Sequence, residues 1–123
     1  MAACDPLADH SKLLREIARD YADINWAYFG NRLQPAPLLL SEDQSRLGCF
    51  VPEPRRIELS RELVLNQPWG VVVEVLKHEM AHQFVHEVLG HHDESSHGPS
   101  FQRTCERLGI EPRATGLPCE NPR

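Results

Sequence analysis

Between Pro68 and Gly90 the chain places Trp69, Val71, Val72, Val73, Val75, Leu76, Met80, Ala81, Phe84, Val85, Val88 and Leu89 on almost every side of one long helix. A helix apolar nearly all round is buried, and only a narrow strip holding Glu74, Lys77 and Gln83 is expected to reach solvent. Charged or polar groups inside such a helix are costly unless paired or metal-bound, yet the segment carries His78, Glu79 and His82. The central element of the fold is therefore also the place where chemistry must be explained.

The pattern His78-Glu79-Met80-Ala81-His82 has a spacing that follows from metal chemistry. With a rise of about 1.5 Å and a turn of about 100° per residue, two histidines four apart lie on one face about 6 Å apart along the axis. Both imidazoles can then reach one zinc ion. Glu79, one step on from His78, projects to the same side of the metal and can polarise a bound water without being a ligand itself.

A catalytic zinc takes three protein ligands and keeps one position open, so a third ligand has to come from elsewhere. The candidates are His86, His91, His92 and His97. His86 stands about 12 Å along the axis from His78, too far for one ion bound at about 2.0–2.1 Å. His91 and His92 directly follow Gly90 and would require the chain to fold back over two turns at once. His97 has room to finish the helix, cross the polar stretch 91–96 and return beside the site. It heads His97-Gly98-Pro99-Ser100-Phe101, where glycine permits close approach and proline can start a helix. His97 is taken as the third ligand, with His91 or His92 as the fallback.

Around this helix the chain reads as an α+β domain. A first helix, capped by Ser11, carries Leu13, Leu14, Ile17, Ala18, Tyr21, Ile24 and Tyr28 on a core stripe until Gly30. Three strand candidates follow at 38–41, 46–51 and 56–60, suggesting a small antiparallel three-stranded sheet. Ser60 can cap a short helical turn through Leu65, and a C-terminal helix is expected from Pro99 to Leu108, stopped by Gly109. Asn25, polar within an apolar stripe, reads as a buried hydrogen-bonding residue. With 123 residues the chain suits a single domain, its core spanning about residues 10–110.

Charge and targeting signals narrow the partners. The net charge of −5 does not favour nucleic acid, although Arg46, Arg55, Arg56 and Arg61 lie close enough in sequence to form a local basic edge. The first residues have no cationic or apolar leader region, and no apolar run approaches a membrane span, so a cytoplasmic protein without a membrane partner is expected. Cys4, Cys49, Cys105 and Cys119 are scattered without a C-x-x-C pair and read as reduced thiols. Cys119 could open a further metal-binding module.

HEMAH followed at this distance by HGPSF resembles the SprT-like metalloprotease domain, the group that includes the Spartan proteases acting on DNA–protein crosslinks. Tyr21-Ala22-Asp23-Ile24-Asn25 through Phe29-Gly30-Asn31-Arg32-Leu33 is similar to that family's first helix and its exit, and Gly48 and Ile57-Glu58-Leu59-Ser60 resemble its strands. The resemblance implies a small zincin-like fold, with His78, His82 and His97 as zinc ligands and Glu79 as the catalytic glutamate. The implied activity is peptide-bond hydrolysis by a zinc-activated water with Glu79 as general base. Its substrate would be a protein or peptide, with DNA a partner by analogy alone.

Two alternatives stand beside this reading. A WLM-type metalloprotease also pairs HExxH with a later histidine, and a non-catalytic, zinc-stabilised binding module would add a fourth ligand such as Cys105 or His92. Asp93 and Glu94 are candidate partners of the ligating histidines, and Tyr21, Tyr28 and the arginines are candidates for stabilising an oxyanion.

Overall fold

The computed structural model describes residues 6–92 and 97–112. Helix α1 (Pro6–Phe29) leads to strands β1 (Leu38–Ser41), β2 (Gly48–Pro52) and β3 (Arg55–Ser60). The short α2 (Arg61–Asn66), the long α3 (Trp69–Gln83), a π-helical turn Phe84–Val88 and α4 (Pro99–Leu108) complete the α+β fold. This is the architecture of a small zincin-like domain. Among the described residues no helix is long and apolar enough to cross a membrane.

The sheet departs from the expected antiparallel arrangement. Its order is β1-β3-β2, with β1 parallel and β2 antiparallel to β3. Successive strands do alternate in direction, but β3 inserts between the other two instead of lying outside β2. The reason is burial: Ile57, Leu59 and Ser60 of β3 are all sealed from solvent, so this strand takes the centre, where both edges are paired. Edge strands β1 and β2 are shorter and only half-buried.

Helix α1 begins five residues before the expected cap at Ser11, with Pro6 at its first position, where a missing N–H costs nothing. Ile17, Tyr21, Ile24 and Phe29 form its buried stripe. Its exit is fixed by Asn25, whose side chain donates to Leu33 O at 2.9 Å and accepts from Leu33 N at 3.1 Å, as a buried asparagine requires. Hydrogen bonds clamp α1 to α3, among them Trp69 Nε1 to Asp20 Oδ2 at 2.6 Å and Lys77 Nζ to Tyr28 Oη at 2.9 Å.

Ser60 caps α2 by accepting from Leu63 N. Helix α3 is buried through Val72, Val75, Leu76, Met80 and Ala81, as its composition demands. One expectation fails there: Gln83 is 0% exposed rather than solvated. Its Oε1 accepts from Tyr21 Oη at 2.7 Å, while Nε2 donates to Gln34 O at 2.8 Å and to Glu87 Oε1 at 3.0 Å. Glu87 in turn pairs with Arg55 of β3. A long amide with four hydrogen-bonding sites is tolerated in the core because each side of it meets a partner. The network ties α1, the 34–35 segment, α3 and β3 together behind the helix that carries the histidines.

Candidate metal centre

The α-helical spacing puts His78 and His82 one turn apart, with ring centroids 5.0 Å from each other. The segment before α4 brings in His97, whose ring lies 5.4 Å from that of His78 and 4.9 Å from that of His82. The Nε2 atoms of His97 and His78 are 3.4 Å apart. One potential ligand atom from each of the three residues falls within 4.8 Å of the others. Among the described residues this is the group of three that could hold a metal ion.

Phe101, one helical turn after His97, forms the shared wall of the site. Its ring stacks on His82 at 4.1 Å with planes 13° apart, and meets His78 and His97 edge-on at 5.0 and 5.1 Å. Phe101 is a residue of the site that the ligand pattern alone does not name. The signal was its four-residue spacing from His97 within HGPSF, since Pro99 starts α4 and so fixes where Phe101 points.

Burial controls the charge state of the imidazoles. Desolvation, reinforced by His97, lowers the His78 pKa from 6.5 to about 4, with the Glu111 backbone pulling weakly the other way. Desolvation and the two neighbouring rings lower that of His82 to about 3. Neutral imidazole is the form that ligates metals, so the site holds its donors ready at neutral pH. Three convergent imidazole nitrogens fit a borderline-soft divalent ion.

Glu79 is 5% exposed and sits where α3 meets β2. Burial raises its pKa from 4.5 to about 8, against weaker lowering by a hydrogen bond from the Phe50 backbone and by the charge of Arg46. The methylene of Glu79 lies against Gly48: a Cβ on that glycine would stand 3.2 Å from Glu79 Cγ.

The remaining candidates are engaged elsewhere. His91 Nδ1 bonds to Ser100 Oγ, and His92 stacks on His86 at 3.9 Å while its Nε2 contacts His86 O at 2.8 Å. Neither His91 nor His92 joins the cluster that His97 forms with His78 and His82. Cys105 is fully buried outside the cluster as well. Tyr21 spends its hydroxyl on Gln83 and Gln34, and Tyr28 accepts from Lys77. The expected basic edge is neutralised: Arg46 pairs with Asp43, Arg55 with Glu87, Arg56 with Glu58 and Arg61 with Glu42. Asp93, Glu94 and Cys119 lie outside the described residues.

An α+β domain whose HExxH helix meets a later histidine at one point has the layout of a metalloprotease-type domain. The profile of the SprT-like family matches residues 17–120, most of the chain, and the chain belongs to that family. A search of curated proteins returns no significant match.

Proposed function

We propose that this protein is a zinc-dependent endopeptidase in which His78, His82 and His97 hold the ion and Glu79 is the general base. The observation that carries the reading is the convergence of three imidazoles, two of them on the helix that also carries the buried Glu79, with no fourth protein ligand in the cluster among the described residues. A structural zinc site is closed by four ligands, whereas a catalytic one keeps a position for water or substrate. Membership of the SprT-like family favours this form over the WLM-type alternative.

When bound, zinc supplies Lewis-acid polarisation of the scissile carbonyl, acidifies water and favours the ionised form of a neighbouring carboxylate. The chain's own residues do the rest. Glu79, ionised, takes a proton from the attacking water as its oxygen bonds to the carbonyl carbon. The same carboxyl then hands that proton to the amine nitrogen as the C–N bond breaks, and Glu79 returns to its starting state. Phe101 keeps the three imidazoles in fixed orientation, and the buried surroundings of Glu79 strengthen its interactions by excluding water.

The substrate class proposed is a protein or peptide chain. The family resemblance adds DNA-associated or DNA-crosslinked proteins, while the four ion-paired arginines offer that role no support. Metal analysis with a casein or self-cleavage assay, run with and without single-stranded DNA on wild type and Glu79→Gln, tests both levels. Cleavage by wild type alone is expected. Stimulation by DNA would restore the DNA-linked role, and equal cleavage by Glu79→Gln would remove the proposed base.

A further inference from the structure

Gly48 opens strand β2 opposite Leu59, where glycine offers nothing to pack, so its presence points to a close approach of another group. That group is the side chain of Glu79. A Cβ at position 48 would sit 3.2 Å from each of three atoms: Glu79 Cγ, Leu59 Cδ2 and the backbone oxygen of Glu58. The Glu58 carbonyl is held in the sheet and cannot retreat, so an added methyl group displaces the Leu59 tip or the Glu79 chain.

Two residues on, the same strand supplies a donor. Ile57 N donates to Pro37 O at 2.8 Å on the β1 side, and Phe50 is the residue opposite Ile57 across the antiparallel ladder. Phe50 therefore belongs to a pair without mutual ladder bonds, and its N–H faces away from β3. The Ser60 N to Leu47 O bond at 2.8 Å confirms this alternation. The free N–H of an edge strand is thus available to Glu79, which receives a hydrogen bond from the Phe50 backbone. Gly48 meets the methylene and Phe50 the carboxylate, so β2 grips a side chain with three rotatable bonds at two points.

We infer that Gly48 is a positioning residue, whose missing side chain lets β2 hold the Glu79 side chain in one rotamer. The inference rests on the proposed peptidase reading for its kinetic consequence, but its structural part stands alone.

The test is Gly48→Ala, with Gly70→Ala as control because a Cβ there meets nothing within 4 Å. Gly48→Ala should keep zinc at wild-type stoichiometry and KM within about twofold, while kcat falls about tenfold to a hundredfold, the cost of a small misplacement of a reacting group. In zinc-free protein the Phe50 amide proton resonance should move toward its position in Glu79→Ala. An NOE between Gly48 Hα and Glu79 Hγ in the wild type provides a readout that needs no variant to fold. Wild-type kcat in Gly48→Ala, an unmoved Phe50 amide, or absence of that NOE overturns the inference. Should wild type itself fail to cleave, the peptidase reading falls, while the NOE and the amide shift still decide whether β2 grips Glu79.

Discussion

His78 and His97 bring their Nε2 atoms to 3.4 Å of each other across 19 residues of chain. Two imidazoles can share at most one hydrogen bond at that contact, and His82 adds a third nitrogen within 4.8 Å. A divalent ion satisfies all three lone pairs at once, which a hydrogen-bonding scheme cannot.

Removing one of the three should therefore cost more than removing any supporting group. His97→Ala is expected to weaken zinc binding by more than the about 10–100-fold typical of outer partners, measured by competition with a chromogenic chelator. Retention of full affinity would move the third-ligand role to another residue.

Phe101→Ala removes the wall common to the three rings. The residue is fully buried, so the substitution should cost about 3–5 kcal/mol of stability in denaturant unfolding. Zinc affinity should fall as well, because the rings lose the surface that orients them. Stability loss with unchanged zinc affinity would reduce Phe101 to a core residue.

The metal-free protein should have a stability maximum near pH 6.5. His78 and His82 have native pKa values of about 4 and about 3 against an ordinary 6.5, so below that pH the unfolded chain takes up protons that the native state refuses. Glu79 has a native pKa of about 8 against 4.5, so the native state keeps a proton that the unfolded chain releases, and stability declines as pH rises toward 8. Between pH 4.5 and 6.5 the two histidines outweigh the single carboxyl. Each net proton contributes a slope of about 1.4 kcal/mol per pH unit. Urea titrations across pH 5–8 should show both limbs, and Glu79→Gln should abolish the alkaline one. An alkaline decline that persists in Glu79→Gln would assign it to another group.

Gln83→Met keeps bulk but removes the amide, leaving Gln34 O without its Nε2 donor and Tyr21 Oη without its shorter bond. A cost of about 1–3 kcal/mol is expected, with zinc stoichiometry unchanged. A neutral result would show that the network behind α3 contributes little.

Much of this architecture was legible in the sequence because local signals agreed with tertiary demands. Ser60 marks a helix end by its side-chain cap and Pro99 and Gly109 by their backbone geometry, and the HExxH spacing with a later histidine points to the cluster. The sheet order was not legible, since alternation of strand direction is local while the choice of central strand depends on which one the helices bury. Gln83 misled for a similar reason: amide side chains usually seek water, and only the fold brings Tyr21, Gln34 and Glu87 around it. Gly48 was visible as a glycine in a strand, but its meaning needs the position of Glu79.

The central claim is that the three histidines hold zinc for a reaction that Glu79 serves as base. Zinc content and casein cleavage measured side by side for wild type and Glu79→Gln address it most directly. One zinc per chain is expected in both proteins, with cleavage by wild type only. Wild type without zinc, or Glu79→Gln cleaving at the wild-type rate, would contradict it.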